Sequence, residues 1–305
     1  MADRSSQRTA PRPKIIFLHL HKTAGMSLRG LFVKNYRDGG QFNTGLMDVD
    51  AADWAACRDR VRCLDPETMA ACRVFKGHMP FGLHELLPEP SRYITFLRDP
   101  VRRVLSHYRM VVRKKQLPAG HQIDPSRADW NLGAVPALAR SFDNGQVRML
   151  AGADLRLPFG ACTEEHLQLA TRNLDTHFEF VGLTERFDLS LMLLRRLCGW
   201  KWRFYVPDNV APPDEVSIAP EITGQARALN RFDEELYRQA RERFDRLAEK
   251  YGWRLRAEHR AFIWGNAVHQ RLHQWRQARK TRRLEPQRPA MRPLPAGASG
   301  PTVVK

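Results

Sequence analysis

Two segments each place anion-binding residues at the end of an apolar run: Ile15-Ile16-Phe17-Leu18-His19-Leu20-His21-Lys22-Thr23-Ala24-Gly25-Met26-Ser27 and Tyr93-Ile94-Thr95-Phe96-Leu97-Arg98-Asp99-Pro100. The β-branched and aromatic runs read as strands buried on both faces, and helical periodicity follows each turn. A helix beginning there leaves backbone N–H groups unpaired and carries partial positive charge, so a phosphate gains hydrogen bonds and field together. Across Lys22, Thr23, Ala24, Gly25, Met26 and Ser27 the first turn offers an ammonium, two hydroxyls and a glycine that lets the backbone approach an anion. The second offers Arg98, then a helix from Val101 carrying Arg102, Arg103 and Ser106.

The first turn lacks the Gly-x-x-x-x-Gly-Lys-Ser/Thr pattern of a nucleotide-triphosphate loop, and Lys22 precedes its glycine. A kinase or ATPase reading loses its main support. Taken alone, Lys22-Thr23-Ala24-Gly25 is equally well explained as an ordinary glycine turn. The second phosphate turn shifts that balance.

His19-Leu20-His21-Lys22-Thr23-Ala24-Gly25-Met26-Ser27 resembles the H-x-P-K-T-x-G-T/S-S turn of Golgi-type and bacterial carbohydrate sulfotransferases related to heparan sulfate 2-O-sulfotransferase. Arg98-Asp99-Pro100-Val101-Arg102-Arg103-Val104-Leu105-Ser106-His107-Tyr108 matches every fixed position of that family's R-D-P-x-x-R-x-x-S-x-Y segment. Similar segments follow at Lys76–His84, Asp143–Leu150, Phe180–Phe187 and Asn230–Tyr237, so the resemblance runs from about Lys14 to Lys250. It implies that the first turn holds the 5′-phosphosulfate of 3′-phosphoadenosine 5′-phosphosulfate (PAPS), and that Arg98 and Ser106 hold its 3′-phosphate. Two positions depart from the pattern. His21 stands where the family has proline, and Met26 replaces a hydroxyl residue, a lost donor worth about 1.5–3 kcal/mol where nothing substitutes.

Moving a sulfuryl group from phosphosulfate to an alcohol requires in-line placement, a base for the hydroxyl proton and positive charge on the departing phosphate oxygen. Lys22 is suited to the leaving oxygen, and no metal is demanded. The expected base is His78, which ends the run Arg73-Val74-Phe75-Lys76 at the carboxyl edge where parallel sheets bind ligands. The family's catalytic histidine occupies a similar Gly-His step. His84 and Glu85 are the alternatives, on a short helix from Gly82 to Leu87. His19 reads as a buried, paired histidine and His107 as a packing or capping one. Arg148 and Arg186 either meet an anion or pair with carboxylates such as Asp143 and Glu185. Thr184 either approaches the donor's adenine or is a strand-edge hydroxyl.

With 305 residues and 43% hydrophobic content, the chain can bury one large core. The expected fold is α/β: a doubly wound, mostly parallel sheet with strands near 14–20, 72–77, 92–97 and 178–183, and P-loop-like strand-loop-helix turns. Helices are expected over 27–36, 101–112, 164–175, 189–198 and 220–250. In the last of these, Leu229, Phe232, Leu236, Ala240, Phe244 and Leu247 form a core-facing stripe. Loops over 115–130 and 206–217 would border the acceptor. The domain spans 14–253, after a disordered start at 1–13 and before a basic helical extension at 254–284 and a proline-rich disordered tail at 285–305.

Five cysteines without a Cys-x-x-Cys pair indicate neither zinc nor a closed disulfide framework; one disulfide among Cys57, Cys63 and Cys72 stays open. No apolar run reaches the length of a membrane span or signal sequence, so a cytoplasmic, bacterial-type relative is expected. Of the net charge of +17, the stretch from Arg254 onward carries twelve Lys/Arg against Glu258 and Glu285. That extension, with Trp264 and Trp275 among arginines, suits peripheral contact with an anionic membrane; a docked helix with a solvated arginine face explains it equally. Basic charge also fits a nucleic-acid-binding protein, but that reading leaves the paired phosphate turns unexplained. The partner implied by the resemblance is a hydroxyl-bearing saccharide or glycoconjugate.

Overall fold

Strand β1 (Lys14–Leu18) lies at the centre of the sheet, and its uninterrupted apolar run reflects that position. The computed structural model describes residues 13–36, 40–44, 51–88, 90–114, 132, 136–153, 157–201, 204–207 and 218–284. With β2 (Gln41–Asn43), β3 (Val74–Gly77), β4 (Ser91–Leu97) and β5 (Phe178–Leu183), β1 forms a five-stranded sheet in the order β2-β3-β1-β4-β5. Every pairing is parallel, with Ile15 opposite both Val74 and Arg92. At the amino edge, the buried Lys14 ammonium donates to the carbonyls of Met69 (2.6 Å) and Cys72 (2.9 Å).

The order has a functional consequence. From β1 the chain moves past β3 to β2, whereas from β4 it moves outward to β5. Neighbouring strands whose onward connections diverge leave a crevice at their carboxyl ends. β1 and β4 are that pair.

The helices are α1 (Gly25–Asn35), α2 (Ala51–Arg62), α3 (Pro66–Ala71), α4 (Pro100–Lys114), α5 (Pro136–Phe142), α6 (Gly145–Ala151), α7 (Glu164–His177), α8 (Phe187–Cys198), α9 (Pro220–Ala228) and α10 (Arg231–Leu284). Side chains from the sheet, α1, α6, α7, α8 and α10 make the main core. Val104, Tyr108, Phe142, Ile222 and Ala226 join α4, α5 and α9 in a smaller one. β2, α2, α3, α5 and α6 are additions to the sequence expectation. β2 is three residues long, too short for a periodic signal, while α3 starts on Asp65, whose carboxylate accepts the Thr68 N–H at 2.8 Å.

The helix expected over 220–250 is two helices. Asn230 turns the chain between them, donating from Nδ2 to the carbonyls of Phe142 (2.6 Å) and Ala226 (2.7 Å). Leu229 accordingly packs in the smaller core, while Phe232, Leu236, Ala240 and Phe244 face the main one. α10 breaks at Gly252 (φ 54°, ψ −140°), a left-handed position where glycine avoids the Cβ clash, and then continues as the basic extension. The extension is docked. Leu255, Phe262 and Asn266 are buried, Phe262 stacks on Phe204 at 5.8 Å, and Asn266 Oδ1 accepts the Tyr205 N–H at 2.9 Å. All five cysteines are free thiols, so the disulfide left open among Cys57, Cys63 and Cys72 is not formed. Among the described residues no helix is long and apolar enough to cross a membrane. Residues 1–12, 115–130, 208–217 and 285–305, which include the expected loops and disordered ends, lie outside the described residues.

The carboxylate of Asp233, on the first turn of α10, ties that helix to the sheet's working edge. It accepts the N–H groups of Gln146 (3.0 Å) and Val147 (2.7 Å) at the start of α6 and lies 3.8 Å from buried Arg103. Asp233→Ala strands a buried guanidinium and two helix-terminal amides, so it is expected to destabilise the fold by about 3–5 kcal/mol. Urea unfolding followed by circular dichroism measures this; a loss below 1 kcal/mol would remove Asp233 from that role.

Candidate active site

Both strand-to-helix turns open at the β1/β4 crevice; one hydrogen bond joins them and two more brace the second. Arg98 Nη1 donates to the Lys22 carbonyl at 3.0 Å. Gln146 then clamps the backbone of Arg98, its Oε1 accepting the Arg98 N–H (3.0 Å) and its Nε2 donating to the Arg98 carbonyl (2.9 Å). In the first turn Lys22 (φ 66°) and Ala24 (φ 62°) are both left-handed without being glycine. Such strain costs on the order of 1–3 kcal/mol per residue and collects at ligand-binding loops. Thr23 is buried and its hydroxyl donates to the Leu20 carbonyl at 2.9 Å, so it braces the loop from within.

Gly25 begins α1, and no side chain caps that helix. A Cβ at Gly25 would lie 1.7 Å from His19 Nε2, so glycine is required by close approach of that ring. The first backbone N–H groups of α1, on Gly25, Met26 and Ser27, have no preceding helical turn to bond and remain for an anion. Ser27 is half-buried, and the Met26 side chain is 38% exposed beside Phe204 and Tyr205 in a groove of 430 Å³.

In the second turn, Asp99 and Pro100 start α4. Asp99 Oδ1 accepts the Arg102 N–H at 2.9 Å and Pro100 takes the first helical position. Half-buried Ser106 lies one turn before Met110, whose sulfur is 3.7 Å from Lys22 Nζ, so Ser106 and Lys22 share one side of the crevice. Burial lowers the pKa of Arg98, against the pull of Glu185 and Asp99, yet a guanidinium stays charged. Arg98 Nε, Arg103 Nε and Arg109 Nε are buried with no hydrogen-bond partner among the described residues.

His78 lies beyond β3 inside a column of rings. It stacks on His19 (centroids 4.1 Å apart) and His21 (3.8 Å, planes within 4°), and His21 stacks in turn on His107 at 5.6 Å. Phe17 extends the column behind His19 at 5.4 Å. His78 Nδ1 is 2.7 Å from the His19 carbonyl oxygen. A carbonyl only accepts, so Nδ1 carries the proton and Nε2 keeps its lone pair, the tautomer a general base needs. Burial, then the charge of neighbouring histidines, holds His19 and His21 well below the ordinary imidazole range. His107 is pushed down to about 3 by burial and then by Arg103, Lys22 and His78.

Other expected residues take structural roles. His84 is held by the Tyr93 hydroxyl, its N–H at 3.0 Å and Nδ1 at 3.1 Å, and its ring packs at a tilt against His177, centroids 4.6 Å apart. Tyr93 lies four residues before the end of β4, roughly 13 Å from the crevice. Glu85 is exposed and faces Arg58 at 3.7 Å. Buried Arg148 pairs with Asp143 and donates to the carbonyls of Leu157 (2.8 Å) and Pro158 (2.7 Å). Arg186 pairs with Asp245, leaving Glu185 to accept the Asp99 N–H (3.0 Å) and the Tyr237 hydroxyl (2.6 Å). Thr184 donates to the Leu97 carbonyl at 3.0 Å. Gln146, Glu185 and Tyr237 are the contributors sequence reasoning missed. His21 had a legible signal: it stands two residues after His19, which in extended chain places both rings on one side. Among the described residues no group of three or more His, Cys, Asp or Glu has metal-holding geometry.

Three histidines held neutral in the fold, His107 buried and His19 and His21 half-buried, make it sensitive to acid. Once unfolded they titrate near 6.5, so below that pH the unfolded chain binds more protons and stability falls. For His107, neutral in the fold down to about 3, the loss reaches about 2 kcal/mol at pH 5. Urea midpoints are expected to drop between pH 7.5 and pH 5, and His107→Asn should narrow the difference. An unchanged difference would contradict the neutral column.

A family model described as Galactose-3-O-sulfotransferase matches residues 2–275. Human galactosylceramide sulfotransferase is 29% identical over 269 residues, covering 82% of this chain and 61% of its own length. Human heparan-sulfate 6-O-sulfotransferase 1 is 27% identical over 297 residues, covering 81% of this chain and 68% of its own length. A solved sulfotransferase from Alicyclobacillus acidocaldarius shares 14% identity with a TM-score of 0.36, over 74% of this chain and 94% of that one. The chain thus spans 61% of galactosylceramide sulfotransferase, which has sequence beyond the aligned part. Since the family match takes in both phosphate turns, His78 and the residues that brace them, the chain belongs to the galactose-3-O-sulfotransferase family, among the carbohydrate sulfotransferases.

Proposed function

We propose that this protein transfers the sulfuryl group of PAPS to a hydroxyl of a saccharide or glycoconjugate, with His78 as the base. The observation that carries this reading is the coupling of the two phosphate turns through Arg98 and the Lys22 carbonyl, 3.0 Å apart, at the switch between β1 and β4. Two linked anion sites suit a donor with phosphate at both its 5′ and 3′ positions better than a simple triphosphate. Names of relatives that specify galactosylceramide, galactose and heparan sulfate support a sugar acceptor.

In this reading the amides of Gly25, Met26 and Ser27, the Ser27 hydroxyl and Lys22 hold the 5′ end. Arg98 and Ser106 hold the 3′-phosphate. His78 Nε2 takes the acceptor's O–H proton as that oxygen bonds to sulfur, and the bond from sulfur to the bridging phosphate oxygen breaks. The Lys22 ammonium stabilises the charge that collects on the departing oxygen. The products are a sulfate ester, adenosine 3′,5′-bisphosphate and a protonated His78.

The test is transfer from PAPS to a galactose-terminated oligosaccharide, read by mass spectrometry. His78→Ala is expected to slow turnover by about 10²–10⁴ while adenosine 3′,5′-bisphosphate binds as before. Full activity in that variant would move the base elsewhere. Absence of a sulfated product across galactose, glucosamine and glycolipid acceptors would contradict the proposed reaction.

A further inference from the structure

The half of α10 beyond Gly252 carries a pattern that its docking does not use. Trp253, Trp264 and Trp275 recur every eleven residues, and Arg260 and Arg271 recur at the same interval. Eleven residues make three turns of about 3.67, so each repeat returns to the same face with a drift near 20°. The indoles form one column in steps of roughly 16 Å. They are 68%, 74% and 55% exposed, and Val268 and Leu272 on the same side are exposed as well. Leu255, Phe262 and Asn266 lie on the opposite, docked face.

Charge on this stretch is one-sided. Arg254, Arg256, Arg260, Arg271, Arg276 and Arg279 are all exposed. Glu258, the sole acid between Trp253 and Arg279, is already paired with Arg196 at 2.5 Å. Guanidinium groups lie over two of the indoles, Arg254 at 5.8 Å from Trp253 and Arg279 at 4.6 Å from Trp275.

We propose that this face is an interfacial anchor that lies on the headgroup region of an anionic lipid bilayer. Indoles settle where apolar acyl chains meet polar headgroups, since the ring is apolar and its N–H needs a partner. Arginines alternating with them along the helix meet lipid phosphates. An acidic polymer would require the cations alone and gives no reason for three exposed tryptophans. A second copy of the chain would set arginines against arginines with no free acid to answer them. The inference stands independently of the donor chemistry.

Flotation of the full chain with phosphatidylcholine vesicles, with and without phosphatidylglycerol, tests it. Binding is expected to be at least about tenfold tighter to the anionic vesicles. The triple variant W253A/W264A/W275A should weaken that binding about tenfold or more. R260E/R271E should do the same. Because all these side chains are exposed, thermal unfolding of both variants should match the parent and show that they fold. Absence of vesicle binding would overturn the proposal. Binding that the tryptophan variant retains in full would reassign the face to polyanions. Self-association in ultracentrifugation, abolished by the tryptophan variant while vesicle binding persists, would reassign it to a second copy.

Discussion

Everything proposed for this site depends on two phosphate turns facing each other across adjacent strands. β1 and β4 are neighbours whose chains leave in opposite directions, which leaves a crevice at the carboxyl edge between them. That placement brings Arg98 within 3.0 Å of the Lys22 carbonyl. The residues behind it preserve the register: Gln146 holds both backbone groups of Arg98, Asp233 holds the start of α6 that carries Gln146, and Glu185 holds the amide of Asp99. Bond by bond, the segments around 145, 185 and 233 brace the two turns from behind.

The histidine column sets the chemical character of the edge. Stacked imidazoles a few ångströms apart cannot all hold protons, and the nearby arginines and Lys22 add to that penalty. His78 lies between the His19 and His21 rings, with its tautomer set by the His19 carbonyl. The family's proline position is filled by His21, whose ring packs flat on His78 at 3.8 Å. The departure from the pattern thus supplies a wall for the candidate base. Met26 is a departure of another kind: its side chain is exposed, beside Phe204 and Tyr205.

Much of this was legible in the sequence where local chemistry decides the outcome. The apolar runs at 15–18 and 93–97 are buried parallel strands because each has a strand on either side. Lys22 and Arg98 stand out in the sequence as charges at strand-to-helix turns, and the structure brings them together, Arg98 Nη1 donating to the Lys22 carbonyl. The break at Leu229-Asn230 was hidden, since neither residue is proline or glycine and the turn depends on Asn230 reaching Phe142, far away in the chain. Gln146 was hidden for the same reason: its partner is a backbone 48 residues distant. Arg148 illustrates the converse, a charge conspicuous in the sequence that is enclosed by Asp143 and two carbonyls. The helical extension was visible from its composition, but the side that docks became clear only with Phe204 and Tyr205 in place.

The central claim is that one ligand engages both turns, its 5′-phosphate at Lys22 and its 3′-phosphate at Arg98. Calorimetric titration with adenosine 3′,5′-bisphosphate, 5′-AMP and ATP with magnesium tests it most directly, in the parent chain and in Arg98→Ala. The account predicts that the bisphosphate binds tightest, and that Arg98→Ala, which also removes the bond to the Lys22 carbonyl, weakens it by about 10- to 150-fold and weakens 5′-AMP by less. Equal affinity for all three nucleotides, or an equal loss for all three in Arg98→Ala, would contradict it.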